Sequence, residues 1–144
     1  SYFFSQLKIL YLLIEYCFGW IIRVLPVLAR SRMVLFDRYY QDLFADPLRY
    51  RHGASMGLAK LVGKIIPSPN LFILLDAPEE ILQQRKQEVS IQESQRARHA
   101  YLQLMKNKKN AVVIDAQMEI EKIAYEIQYQ IMIHMNNRVK RRWK

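Results

Sequence analysis

The stretch that decides the fold is residues 69–80, PNLFILLDAPEE, in which five consecutive apolar residues run directly into Asp76. An unbroken apolar run without alternation is typical of a strand covered on both faces, as in parallel sheets. Pro78, Glu79 and Glu80 then form a helix start, because proline needs no hydrogen-bond donor there and acids favour the positive end of the helix dipole. The stretch predicts a buried strand that leads into a helix.

Two further apolar runs, 33–36 (MVLF) and 111–114 (AVVI), also end in aspartates, Asp37 and Asp115. With helices between the runs, this order predicts an α/β domain with helices on both faces of a parallel sheet and right-handed crossovers. Ligands bind at the carboxyl ends of such strands, where all three aspartates would lie. A turn or cap acid is the alternative, which we favour for Asp115 and, less strongly, for Asp76.

The last predicted helix carries apolar residues at three- and four-residue spacing, which is the pattern of a helix with one face against a core. These residues are Ile120, Ile123, Ala124, Ile127 and Ile131.

Size and composition limit the class of protein. A chain of 144 residues, 51% of them hydrophobic, predicts a single domain over 1–144. The net charge of +9 attracts polyanions, and part of it lies in a basic tail at 138–144, which is either a solvated helix end or a phosphate contact. Cys17 is the single cysteine, which fits a reducing compartment and predicts a cytoplasmic protein without a zinc site.

Residues 9–28 are apolar and about long enough to span a bilayer. Glu15 and Arg23 would each cost roughly 2.5–3.5 kcal/mol near the bilayer centre, and Gly19 and Pro26 interrupt the helix. We therefore predict no transmembrane span. A buried or interface helix pair, with a homodimer through these N-terminal apolar helices, is the expectation instead.

Four motifs, in order, resemble the thymidylate kinases, a family of P-loop nucleoside monophosphate kinases. The stretch 34–39 (VLFDRY) resembles the family's Asp-Arg-Tyr signature, and 69–80 resembles its Leu-Asp, Pro-Glu strand. The segment 96–102 (RARHAYL) is similar to the helix after the family's lid, and 113–116 (VIDA) is similar to its last strand. The resemblance runs from Met33 to Ile131 and implies a P-loop kinase-like α/β fold.

The resemblance also implies the chemistry of the site. Asp37 would act near Mg²⁺ or the transferred group, and Arg38 would hold the acceptor's monophosphate through a two-point contact. Tyr39 and Tyr40 would belong to the substrate-binding residues. Three further arginines resemble basic residues beside the family's lid, with exposed helix charge as the equal alternative: Arg85, Arg96 and Arg98. The partners implied are nucleotides, and nucleic acid is not expected.

The chain departs from the family in lacking the phosphate loop G-x-x-x-x-G-K-[ST]. Residues 57–64 come closest, but they contain one residue too many before Gly63, and Ile65 replaces the hydroxyl residue. Asp42 and the segment 46–53 also differ, which leaves the acceptor open.

The leading hypothesis is that an intact, longer protein transfers the γ-phosphoryl group of ATP, with Mg²⁺, to a nucleoside monophosphate or a related phosphorylated acceptor. The isolated chain, whose strand pairing would be incomplete at the N-terminus, is expected to be inactive. The rival is a non-catalytic binding or assembly protein that keeps the kinase scaffold and uses its basic surface or N-terminal helices.

Overall fold

The computed structural model describes residues 2–45, 56–81 and 90–143. The chain divides into two compact units, residues 1–68 and 69–144. The first unit is helical in its described residues, and the second contains a parallel strand pair. The expectation of a single domain over 1–144 stays a prediction.

The first unit opens with helix α1 (Tyr2–Gly19), a π-helical turn (Trp20–Val24) and helix α2 (Leu25–Ala29). Pro26 explains the π-helical turn. A proline clashes with the carbonyl four residues earlier and offers no N–H of its own, so the helix widens just before it. The N–H of Leu25 accordingly donates to the Trp20 carbonyl, five residues back.

The core of the first unit lies where α1 packs against helix α4 (Met56–Ile65), with the short helix α3 (Asp42–Ala45) beside them. Ile9 and Val62 are almost fully buried there. The other buried members of this cluster are Tyr39, Tyr40, Leu43, Ala59 and Ile66. Two consecutive tyrosines therefore sit in the core rather than at the surface.

The second unit is built on strands β1 (Phe72–Asp76) and β2 (Ala111–Asp115), which pair in parallel with Asp76 opposite Asp115. This pairing confirms the predicted α/β class and places two of the three predicted aspartates at one edge. Helix α5 (Ile91–Lys106) contacts both strands, and helix α6 (Ile120–Arg142) contacts β2. A helical turn also begins at residue 79, as the sequence 78–80 predicted.

Local sequence explains where α5 begins. The Ser90 hydroxyl accepts a hydrogen bond from the Glu93 N–H at 3.3 Å, and the Glu93 carboxylate accepts one from the Ser90 N–H at 3.4 Å. This reciprocal pair is a capping box, which satisfies backbone donors that the first helical turn leaves unpaired.

The structure corrects two sequence predictions. The run 33–36 forms neither strand nor helix, and Leu35 is 74% exposed. A strand needs backbone partners, and in the described part of the chain only β1 and β2 pair. In α6, Ile120 and Ala124 are exposed, whereas Ile123, Ile127 and Ile131 are half-buried, so the inward face is narrower than its spacing indicated.

Candidate functional site

Asp37 and Arg38 form an exposed turn directly after the unpaired run 33–36. Arg38 has a φ of 71°, in the left-handed region that residues other than glycine seldom adopt. Such a conformation persists only when neighbouring structure enforces it, and residues in it cluster at functional sites. The turn therefore presents a carboxylate and a guanidinium next to each other at the surface.

Tyr39 and Tyr40 anchor this turn from the core side. The Tyr39 hydroxyl donates to the Pro67 carbonyl oxygen at 2.6 Å, and the Tyr40 hydroxyl donates to the Ala59 carbonyl oxygen at 2.8 Å. The Tyr16 ring meets both tyrosine rings edge to face, with centroids 5.1 and 5.8 Å away. Both anchors thus fix the backbone that leaves the Asp-Arg turn.

Burial has an electrostatic consequence for these tyrosines. It is the main cause that raises the pKa of Tyr39 to about 12 and that of Tyr40 to about 12, with Tyr16 as a lesser cause. Neither hydroxyl ionises near neutral pH, so each remains a hydrogen-bond donor. Their predicted contact with substrate stays a prediction, and the hydrogen bonds that their hydroxyls make in the structure are to backbone carbonyls.

Gly63, which lies in the segment that most resembles a phosphate loop, has a packing role. A Cβ atom there would lie 3.0 Å from Cε1 of Tyr40, closer than side chains ordinarily approach. The segment is helical throughout, as part of α4. The helical structure of residues 57–64 therefore supports the interpretation that this segment is not a phosphate loop.

In the second unit, the Arg98 side chain contacts one acid at the carboxyl end of β1 and another in the helical turn that begins at residue 79. Its Nε and Nη2 donate to the two carboxylate oxygens of Asp76 at 2.7 and 2.8 Å. Its Nη1 lies 3.3 Å from both carboxylate oxygens of Glu79. The guanidinium is thus held by two acids from two elements, in the planar two-point geometry that arginine favours with carboxylates.

These contacts shift the pKa values in the directions that ion pairing requires. The hydrogen bond from Arg98 is the main cause that lowers the pKa of Asp76, although burial opposes it. The same hydrogen bond is the main cause that raises the pKa of Arg98. Asp76 therefore stays ionised to a lower pH than an ordinary aspartate.

An open cleft of about 310 Å³ lies beside this ion pair. Its lining combines one apolar side chain with several that can donate or accept hydrogen bonds: Glu79, Gln95, Arg98, His99 and Leu102. The family resemblance implied a place for Arg98 near the nucleotide phosphates, with exposed helix charge as the equal alternative, and neither alternative included Glu79 as its partner. The acidic first turn after Pro78 was visible, yet no pattern in the chain indicated which cation it would meet.

The remaining predicted residues fall in three groups. Asp115 accepts a hydrogen bond from the Gln117 N–H at 2.9 Å, which confirms that it is a turn acid. Arg96 is exposed on α5, two residues before the paired Arg98. Arg85 and the segment 46–53 lie outside the described residues.

Asp37 is also the predicted metal ligand. Its carboxylate is exposed and pairs with no cation among the residues that the structure describes. Mg²⁺ binds proteins through one or two carboxylates and keeps several of its waters, so a single accessible aspartate suits it. The described residues contain no cluster of three or more Asp, Glu, His or Cys side chains. Asp37 as a metal ligand stays a prediction.

The run Gln6–Ala29 is long and apolar enough to cross a membrane, judged by length and composition alone. Core helices and signal sequences pass the same test. The expectation that the chain has no transmembrane span therefore stays a prediction.

In open α/β sheets, ligands bind at the carboxyl ends of the strands, which is the edge where Asp76 and Asp115 lie. A protein-family model described as thymidylate kinase matches residues 20–127. The match covers well over half of the chain and includes the Asp37–Arg38 turn, both strands and Arg98. The chain therefore belongs to the thymidylate kinase family. Membership supports a nucleotide-kinase-like function with nucleotides as small-molecule partners.

Proposed function

We propose that the protein is a phosphotransferase that moves the γ-phosphoryl group of ATP to a nucleoside monophosphate or a related phosphorylated acceptor. The observation that carries the proposal is the exposed Asp37–Arg38 turn, whose left-handed arginine is held by two buried tyrosines. A turn anchored in this way fixes the backbone that carries the guanidinium before the ligand arrives. Pre-orientation lowers the entropy that binding must overcome.

Each side chain of the turn has a distinct proposed role. Arg38 binds two oxygens of the acceptor's monophosphate, since its planar fork matches phosphate geometry. Asp37 holds Mg²⁺ or its waters beside the transferred group. When bound, Mg²⁺ would neutralise the charge that develops on the phosphoryl oxygens. Tyr39 and Tyr40 act behind the turn by fixing its backbone, together with any direct contact to substrate.

The chain by itself is expected to bind nucleotide without transferring phosphate. Its 144 residues contain no G-x-x-x-x-G-K-[ST] pattern to cradle the phosphates of ATP. We propose that a segment upstream in a longer, cytoplasmic protein supplies this loop.

A second candidate is a non-catalytic binding or assembly protein, and a specific observation favours it. Exposed apolar residues recur along Gln6–Ala29 at alternating four- and three-residue spacing. Six of them follow this spacing and are between 42% and 62% exposed: Leu7, Tyr11, Ile14, Phe18, Ile21 and Leu25. Leu10 and Ile22 in the same run are exposed as well. This spacing is that of a helix–helix seam, which suits a homodimer through the N-terminal helices. Sedimentation equilibrium over a range of chain concentrations would detect the dimer.

The proposed phosphate contact is tested by titrating thymidine monophosphate into the chain by calorimetry. Arg38→Lys keeps the charge but loses the two-point contact, so we expect binding to weaken about tenfold or more, equivalent to about 1.4 kcal/mol. Arg32→Lys is the matched control, because Arg32 is also exposed and precedes the same apolar run. Equal affinities of Arg38→Lys and the control would remove Arg38 from the site.

Catalysis is tested on the full-length protein with Mg²⁺, ATP and a panel of nucleoside monophosphates. Formation of a nucleoside diphosphate supports the kinase, and Asp37→Asn should then lower kcat more than it raises KM. Nucleotide binding without turnover in the full-length protein would support the non-catalytic candidate.

A further inference from the structure

Helix α6 has two apolar faces, of which the strand pair can cover only one. Ile123, Ile127 and Ile131 are half-buried on the inward face. A second set of large apolar side chains follows at spacings of four, three, three, four and four residues, which keeps them on the opposite side of the helix. This outer stripe consists of Tyr125 (69% exposed), Tyr129 (48%), Met132 (67%), Met135 (58%) and Val139 (53%), together with Trp143 (86%), which directly follows the last helical residue.

The outer stripe ends in a strongly basic segment. Arg138, Lys140 and Arg141 are exposed, and the sequence adds Arg142 and Lys144. Glu126 is the last acid of the chain, so no carboxylate offsets these cations in the final eighteen residues. Apolar surface and positive charge therefore occur together on the last three turns of the helix.

We infer that the outer stripe of α6 docks on an anionic membrane surface, with the helix lying in the plane of the interface. A helix that combines an apolar face, flanking Lys and Arg, and a tryptophan is the kind that enters the headgroup region of a bilayer. Tryptophan is enriched at that depth because its ring is apolar and its N–H is polar. Nucleic acid would match the cations but leave six apolar side chains exposed. The inference is independent of the proposed phosphotransfer.

The attraction between the basic residues and an anionic lipid surface determines how much each charge should contribute to vesicle binding. Each Lys or Arg near an anionic lipid surface strengthens binding about fivefold, so losing two weakens it about 25-fold. The test is co-sedimentation of the full chain with vesicles of phosphatidylcholine alone, or of phosphatidylcholine and phosphatidylserine in equal amounts. We expect binding to the mixed vesicles only, and loss of that binding at about 1 M salt, where the Debye length falls to about 3 Å.

Paired variants separate α6 from the rest of this basic chain. Lys140→Gln with Arg141→Gln should weaken binding to mixed vesicles about 25-fold. Lys60→Gln with Lys64→Gln removes the same charge from exposed positions on α4 and should leave binding unchanged. Val139→Ser changes no charge and should weaken vesicle binding about tenfold, since an apolar side chain no longer leaves water.

Tryptophan fluorescence locates the contact. The chain has two tryptophans, so Trp20→Phe leaves Trp143 as the only one. Its emission should shift to shorter wavelength on mixed vesicles, because the indole moves from water into the interface.

Several results would overturn the inference. The first is the absence of binding to mixed vesicles, and the second is an equal loss of binding in the two charge pairs. Tighter binding to single-stranded DNA than to mixed vesicles, unaffected by Val139→Ser, would make the surface a nucleic-acid contact. Loss of a self-association in Val139→Ser, without vesicle binding, would make the outer stripe an interface between copies of the chain.

Discussion

Replacing Arg98 with alanine is expected to destabilise the second unit by about 2 kcal/mol. The change removes the guanidinium that holds Asp76 and Glu79, and it leaves two carboxylates close together without a cation. Exposed ion pairs contribute about 0–1 kcal/mol, whereas breaking a buried pair costs about 3–5 kcal/mol. The side chains of Arg98 and Asp76 are 28% and 19% exposed, so the effect belongs between these limits.

The assay is equilibrium unfolding in urea, with the free energy of unfolding compared between variants. Arg96→Ala is the matched control, because Arg96 lies on the same helix and is exposed. It should change the free energy of unfolding by no more than about 0.5 kcal/mol. If Arg96→Ala and Arg98→Ala lower the free energy of unfolding by the same amount, the ion pair contributes nothing to stability and the reasoning is refuted.

Acid provides a second test of the same contact. Because the pKa of Asp76 is lower in the folded state than in the unfolded chain, the pair contributes stability above pH 4, roughly, where the unfolded carboxylate is also ionised. That contribution is lost as the pH falls through the lowered pKa. The difference between wild type and Arg98→Ala should therefore shrink in acid and stay constant near neutral pH. A difference that persists unchanged in strong acid would mean that Arg98 acts by packing alone.

Two further predictions concern the first unit. Gly63→Ala should lower the free energy of unfolding in urea by about 1–3 kcal/mol, because the added Cβ meets the buried ring of Tyr40. Gly19→Ala, whose added Cβ has no atom within 4 Å, should instead stabilise α1 by up to about 1 kcal/mol. Effects of the same sign in the two variants would contradict the packing argument. Arg38→Gly should raise the free energy of unfolding by about 1 kcal/mol while weakening nucleotide binding, because glycine adopts positive φ without strain. Arg32→Gly, whose backbone is not left-handed, should instead lower stability, and a destabilised Arg38→Gly protein would show that the turn is not strained.

The two paired strands could be predicted because their signal is local. Residues 71–75 and 111–114 are unbroken apolar runs that end in aspartate, and the structure pairs them in parallel with those aspartates in register. The turn role of Asp115 was also predictable, since a short acid after a strand readily accepts a hydrogen bond from the N–H two residues later.

The conformation of the run 33–36 could not be predicted by the same reasoning. The run is as uniformly apolar as the other two runs, yet strand formation depends on a neighbouring strand that the run itself does not encode. Burial of the tyrosines was likewise hidden, because an aromatic residue after Asp-Arg suits a ligand pocket as well as a core. The contact between Arg98 and Asp76 joins residues 22 positions apart, and no sequence spacing specifies it.

The buried tyrosines that anchor the Asp-Arg turn give the first unit an optical signal of its own. A tyrosine absorbs differently once it is ionised, and the ordinary pKa of its phenol group is about 10. Burial raises the pKa of Tyr39 and that of Tyr40 to about 12 while the unit is folded. In an alkaline absorbance titration the ionisation of these two tyrosines should therefore occur at higher pH than that of an ordinary tyrosine, and it should move to lower pH once the core opens. Folding of residues 1–68 can thus be followed in the unlabelled protein.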